Sequence, residues 1–370
     1  MKKGSIYTVA GCGKIGSDGD GGDAKLAMLN EPKDLTIDNN GCLYIADSEN
    51  NLIRFVNSNG SIDTIAGSIT LSETEEDKKA DETEYQRVLD TVPRKAGMNA
   101  EMIGDNGAAI SAKLRFPSAI AVDQDGNLYI SDTHNHRVRK MNRKNGVITT
   151  IAGNGDDQLS GDNGPATEAS LSEPTGIAID REGNIYIADL RNNKIRIVER
   201  ASGIIKTFAG NGDDYFSGDD GPAVNASLSG PSGIVLDKNE NIFIADTFNN
   251  VIRRVDANTG IITTVAGDGD RFKINKKETT ANSLARPHSI ALDSKGNIYT
   301  TDSDNHLVRK IDGNSGEITN VAGNGTIGFS TDGTPAYDAA LNYPFGMAID
   351  SKDNMYVADT FNHRIRKIFN

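Results

Sequence analysis

Six near-copies of one segment run through this chain of 370 residues, and that repetition constrains its architecture more than any single motif does. The clearest copy reads EPTGIAIDREGNIYIADLRNNKIRIVERASGIIKTFAG, from Glu173 to Gly210. The aspartate closing each YIAD-like string falls at Asp47, Asp132, Asp189, Asp246, Asp302 and Asp359, at steps of 85, 57, 57, 56 and 57 residues. A fixed period of this size is the signature of one supersecondary unit copied and stacked. Residues present in every copy are therefore read as scaffold. Residues that break the pattern in one copy are the candidates for function.

Within each unit four short apolar or alternating runs are separated by turn residues. In the third copy they are Gly176 to Asp180, Ile185 to Asp189, Lys194 to Glu199 and Ile204 to Ala209, punctuated by Gly183-Asn184 and Ser202-Gly203. Helical periodicity is absent from the unit, so each copy is read as four antiparallel strands. Six such sheets bury both faces only when arranged radially, which predicts an all-β, six-bladed β-propeller forming a single domain over residues 1–370. The last copy stops at its third strand, Arg364 to Phe369, while Gly4 to Gly11 supplies the missing fourth. The N-terminal strand is therefore expected to complete the C-terminal blade.

The string DTFNHRIRKI at Asp359 to Ile368, with the P-x-G-x-A-x-D opening at Pro344 to Asp350 and the flanking TVAG, resembles the NHL repeat. That resemblance covers nearly the whole chain outside one long insertion, and it implies the six-bladed propeller. It leaves function open, because such propellers include protein- and RNA-binding modules, an amidating lyase, and distant relatives resembling strictosidine synthase and lactonases. Resemblance to the lyase implies a zinc held by several channel histidines. The chain offers only two histidines outside the repeated structural position, and no G-x-S-x-G elbow.

Bulk properties narrow the classes further. A formal charge of −13 repels nucleic-acid phosphates, and the basic residues recur inside the repeat without forming one patch, so nucleic acid is not an expected partner. No apolar stretch is long enough for a signal peptide or a membrane span. The expected location is cytoplasmic, or secreted if a leader has been removed. The two cysteines, Cys12 and Cys42, fall in different loops and suggest neither a disulfide framework nor a metal motif.

Three features recur in every blade or nearly so. An arginine follows each repeated aspartate by seven residues, from Asp47 and Arg54 to Asp359 and Arg366, and is read as a charge-assisted tie between the second and third strands. Asn50, Asn135, Asn192, Asn249, Asn305 and Asn362 are read as turn residues bonding their own backbone. Between blades, Asp20, Asp105, Asp162, Asp219 and Asp332 share one position, where the fifth loop has Asn275. These are read as caps of a short turn or helix, with structural calcium or a channel metal as the cofactor alternatives.

The pattern breaks where the inter-blade loops and the loops between second and third strands meet at the channel mouth, the default ligand site of a propeller. The inner strands open with Lys33-Asp34, Ser118-Ala119, Thr175-Gly176, Ser232-Gly233, His288-Ser289 and Phe345-Gly346. Two residues after the repeated aspartate stand Glu49, His134, Arg191, Phe248, Asp304 and Phe361. His136, His306 and His363 occupy the repeated NH position and are read as structural, whereas His134 and His288 do not.

The insertion, about 68–104, lies between the first two blades on this face. Within it, Ser72 to Val92 reads as an acidic amphipathic helix bearing Tyr85, a candidate lid, with disorder of its charged first half, Glu73 to Glu84, as the alternative. A second irregular loop supplies Lys273, Lys276 and Lys277. The leading expectation is a module that binds a peptide, protein or small molecule through Lys33, Arg191, Phe248, Phe345, Phe361 and Tyr85. The alternative is a lyase, hydrolase or cyclase with His134 and His288 as acid/base or metal-ligand residues, tuned by Asp34, Glu49 or Asp304.

Overall fold

The computed structural model describes residues 2–68, 103–269 and 283–370 and confirms the six-bladed propeller. The candidate lid helix with Tyr85, and Asn275 with the three lysines that follow the fourth blade, lie outside the described residues. Blade 1 is built from Pro32–Ile37, Leu43–Asp47, Leu52–Val56 and Ile62–Ala66, numbered outward from the channel. Blades 2 to 5 repeat this order from inner strands Pro117–Val122, Pro174–Ile179, Pro231–Leu236 and Pro287–Leu292. Blade 6 takes Pro344–Ile349, Met355–Asp359 and Arg364–Ile368, and its outermost strand is Ile6–Ala10. Ile6 pairs with Ile368 and Thr8 with Arg366, so the ring closes by main-chain hydrogen bonds between the two ends of the chain. Among the described residues no helix is long and apolar enough to cross a membrane.

The apolar residues of each strand pack between blades rather than inside one. Six clusters of buried side chains fill the six gaps; the one between blades 3 and 4 joins Tyr186, Ile195 and Ala209 to Leu228, Ile234, Ile244 and Ile262. Burial therefore depends on the neighbour, as expected of a repeat that cannot hide its faces alone. The outer edges of blades 1 to 4 and 6 are partly covered as well. The inter-blade segments bridge to the outermost strands at Asp23 and Ser61, Ala108 and Val147, and Pro165 and Ile204, which shortens the free sheet edges.

The repeated aspartate and arginine form a buried ion pair in all six blades, at 3.2 Å for Arg54 and Asp47, 3.0 Å for Arg139 and Asp132, and 3.1 Å for Arg196 and Asp189. The remaining three pairs, led by Arg253 and Asp246, span 3.0–3.3 Å. Each pair lies diagonally across the second and third strands, since Arg196 stands opposite Ile187 and Asp189 opposite Lys194. Burial pushes the Asp47 carboxyl up to about 6, against the pull of the Asn30 N–H, Asn50 and Arg54.

Two expectations are corrected by this network. The inter-blade aspartates do not cap a turn: Asp20, Asp105, Asp162 and Asp219 accept from the arginine's second nitrogen at 2.6–2.7 Å, and Asp332 lies 3.7 Å from Arg366. The repeated asparagines do not bond their own backbone either. Asn50, Asn192 and Asn305 donate to the repeated aspartate at 2.8–2.9 Å, and Asn50 also donates to the Gly16 carbonyl. A guanidinium has enough donors in fixed directions to serve two carboxylates, which a turn cap would not use.

Replacing Arg196 by Met should strand Asp189 as a buried charge and cost about 3–5 kcal/mol. Urea unfolding of the variant at neutral pH measures this; a loss below about 1 kcal/mol would mean that the pair contributes little.

Candidate ligand-binding mouth and channel

Three side chains per blade converge on one face, and the network above sets two of them. The repeated aspartate's first oxygen accepts the N–H of a residue two positions before the inner-strand proline, at 2.7 Å from Asn30 and 2.6 Å from Ser172. The aspartate is followed by a single helical turn, Ser48–Asn50 in blade 1 and Leu190–Asn192 in blade 3. The middle residue of that turn donates its N–H to the same loop: Glu49 to Asn30 O at 3.2 Å, His134 to Arg115 O at 3.1 Å, Phe248 to Ser229 O at 3.0 Å. Every variable residue two past the aspartate is thereby laid beside the entry to its own inner strand.

The residue immediately before each inner-strand proline is the position that sequence reasoning missed. Glu31, Phe116, Glu173, Arg286 and Tyr343 occupy it with φ between 46° and 50°, and Gly230 with φ 52°. A side chain in this left-handed region costs about 1–2 kcal/mol. It is held there by an acceptor from the preceding blade: Phe116 N–H donates to Asn51 at 2.7 Å, Glu173 N–H to His136 Nδ1 at 3.2 Å, and Tyr343 N–H to His306 Nδ1 at 3.2 Å. His136, His306 and His363 therefore have the structural role expected of them. Burial lowers His306 to about 4, so its Nδ1 remains an acceptor at neutral pH. The variation E, F, E, G, R, Y at an otherwise regular position was the available signal.

The resulting ring is lopsided. On the side of blades 6, 1 and 2 the mouth is aromatic. Lys33 Nζ lies 4.2 Å from the Phe345 ring centre, 5.0 Å from Phe361 and 5.7 Å from Phe116, with the Glu31 carboxylate at 3.6 Å. His134 stacks on Phe116 with centroids 4.6 Å apart and planes 8° from parallel, and Tyr343 meets Phe361 at 5.3 Å. Blades 3 and 5 instead carry ion pairs, Arg191 with Glu173 at 3.0 Å and Arg286 with Asp304 at 3.3 Å. Between them Phe248 lies over Gly230, where an added Cβ would come within 2.4 Å of the ring.

Beneath the rim the channel encloses a cavity of about 410 Å³ lined by all six inner strands. Its titratable lining residues among those described are Lys33, Asp34 and His288. Asp34 stands where the other inner strands have Ala119, Gly176, Gly233, Ser289 and Gly346. The three glycines are forced: an added Cβ would lie 2.1 Å from Ser232 O, 2.5 Å from His288 O and 2.5 Å from Asp34 Cα. Asp34 fits because blade 1 pairs it directly with Ala46, and its Oδ2 accepts the Ile120 N–H of the next blade at 3.0 Å. Burial raises its carboxyl from 3.8 to about 7 against that hydrogen bond. His288 opens partly to the lumen, meets Phe345 edge-on at 4.6 Å, and is lowered to about 3 by burial and then by Lys33, so it is neutral.

Of the acid/base candidates, Asp34 and His288 thus share the cavity, while His134, Glu49 and Asp304 stand on the rim. Among the described residues no group of three His, Cys, Asp or Glu side chains converges as a metal site. The binding candidates Lys33, Phe345 and Phe361 come together; Arg191 and Phe248 lie on neighbouring blades 3 and 4.

Comparison with known proteins follows this architecture. The family described as the teneurin NHL domain matches over residues 12–84, 70–160, 154–216 and 211–281, and the NHL repeat over 284–311. Protein SUPPRESSOR OF QUENCHING 1, chloroplastic, of Arabidopsis thaliana is 31% identical over 74% of this chain and 26% of its own length. NHL repeat-containing protein 2 of Bos taurus is 26% identical over 77% of this chain and 39% of its own. The chain thus spans well under half the length of these relatives. A solved auxiliary nutrient binding protein from Bacteroides ovatus superposes with a TM-score of 0.63 at 16% identity, over 98% of this chain and 76% of that one.

Asp34 gives a pH signature. The folded carboxyl keeps a proton up to about 7, whereas the unfolded one releases it near 3.8, so this group's contribution to stability falls as pH rises through that window. The advantage of Asp34→Asn over the unsubstituted protein should grow from near zero at pH 4 to about 2–4 kcal/mol at pH 8. Denaturant unfolding at a series of pH values checks this, and a pH-independent difference would refute it.

Proposed function

This chain belongs to the NHL-repeat family of β-propellers, and on that premise we propose that it is a binding module whose mouth holds a segment of a peptide or protein partner, or a small ligand. One observation carries the reading. The same buried aspartate, arginine and asparagine recur in every blade, while the three side chains that this framework aims at the mouth differ from blade to blade. A framework serving only stability gains nothing from that diversity, and strained, side-chain-bearing residues at a rim are where binding strain is ordinarily held. The lopsided chemistry names the ligand's character. One end meets Phe116, Phe345, Phe361 and Tyr343, and the other meets the Arg191 and Arg286 ion pairs, so an amphipathic segment laid across the mouth satisfies both.

A random-peptide display library selected on the unsubstituted protein should enrich sequences combining aromatic or aliphatic residues with charges. The same peptides should bind Phe345→Ala/Phe361→Ala at least tenfold more weakly, with the variant still folded by circular dichroism. Equal binding to both proteins would exclude the mouth as the binding site.

A further inference from the structure

We propose that Asp34 makes the upper channel a receptor for an alkylammonium group, the stem passing the level of His288 and Phe345 and the cationic head reaching the carboxylate. This deepens the reading of the mouth as a binding site, on which it rests, by naming the chemistry of the deepest subsite.

Four observations lead there. Among the described residues Asp34 is the one acidic side chain lining the cavity, at a level where the other blades carry Ala, Gly or Ser. Its Oδ2 is committed to the Ile120 N–H, and no Lys, Arg or His among the described residues forms an ion pair with it. The neighbouring cation, Lys33, is already engaged by Glu31 at 3.6 Å and by three phenylalanine rings, and His288 is neutral, so the cavity offers an acid without a matching base. Finally, among the described residues the side chains at the level of Lys33 on blades 2 and 4 are small. Ser118 and Ser232, at the level of Lys33, turn their hydroxyls away to Thr133 at 2.5 Å and to the His288 carbonyl at 2.7 Å. The walls below Asp34 are mostly aliphatic, with Val122, Ile179, Leu236, Leu292 and Ile349, and among the described residues offer the cationic head no competing carboxylate.

A half-buried acid without a counter-ion is costly in its ionised form, and an incoming cation removes that cost. The same chemistry could arrive as a lysine side chain of a bound peptide or as a free alkylamine. Anions and neutral alcohols of equal length lack it.

Isothermal titration of the whole chain at pH 8 and 0.15 M salt with hexylammonium, 1-hexanol and hexanoate tests the proposal. Hexylammonium should bind at least tenfold more tightly than the other two, and Asp34→Asn should reduce that preference to within about twofold. No preference in the unsubstituted protein, or one that survives Asp34→Asn, would overturn it. Asn can still accept the Ile120 N–H; should the variant nevertheless fail to fold, pH decides. Hexylammonium affinity should fall about tenfold from pH 8 to pH 6 as Asp34 takes up its proton; Lys33 and His288 also face the cavity, and His288 is neutral across that range. A flat profile overturns the proposal. N-acetyl-lysine methylamide binding more tightly than hexylammonium assigns the site to a partner's side chain, and the reverse order assigns it to a free amine; either supports the chemistry. The amine probes need no peptide at the rim, so failure of the display experiment with success here separates the two readings.

Discussion

The buried pair between the repeated aspartate and the arginine seven residues later is the interaction on which the rest of the molecule depends. Two opposite charges taken out of water are a poor source of net stability unless every remaining lone pair and proton is used. Here the surrounding residues use most of them, while the arginine Nε of each blade is buried without an acceptor among the described residues. In blade 3, Asp189 takes the Ser172 N–H at 2.6 Å, the Asn192 amide at 2.9 Å and Arg196 at 3.1 Å, and Arg196 reaches on to Asp162 at 2.6 Å. One carboxylate thereby fastens the second strand, the third strand, the turn between them and the connection from the preceding blade.

That fastening explains why the mouth can vary. The turn after the aspartate and the loop before the inner strand are fixed by main-chain groups and by scaffold side chains, so the backbone there does not depend on which side chains it presents. Neighbouring blades are locked in a similar way: Ser48, Thr133, Thr247, Ser303 and Thr360 each donate to the carbonyl of the next inner-strand proline, at 2.6–2.8 Å. Blade 3 has Leu190 at that position and lacks the hydroxyl. A ring held this firmly can carry five left-handed residues at its rim without giving way.

Most of the fold was legible because repetition multiplies weak signals. A single run such as Ile185–Asp189 could be a strand or part of a buried helix, but six such runs at one spacing, with matching turns, leave one arrangement. The Asp47 and Arg54 type of pair and the closing role of Ile6–Ala10 followed from the same register. What sequence did not show was where hydrogen bonds lead over long separations. Asp20 lies 34 residues from Arg54, and nothing local marks them as partners, so Asp20 was taken for a cap. Likewise the residues before each proline looked like loop filler, since the handedness of Glu31 or Phe116 is imposed by an acceptor on another blade. The candidate site was legible in part: Lys33, Phe345 and Phe361 were correctly placed on one face, but the stacking of His134 on Phe116 and the shared cavity of Asp34 and His288 required coordinates.

The closing strand also determines how the ring would respond to mechanical load. Gly4 N–H donates to Phe369 O at 2.8 Å, and Ile6 pairs with Ile368 while Ala10 pairs with Ile365, so the two ends of the chain leave the ladder from the same end. A pull between them loads the hydrogen bonds one after another, as in opening a zipper, instead of shearing the whole row at once. Among the joints of this ring, the one between the first and last strands is thus the one placed to yield first under tension, and it does so before any blade is asked to come apart from its neighbour.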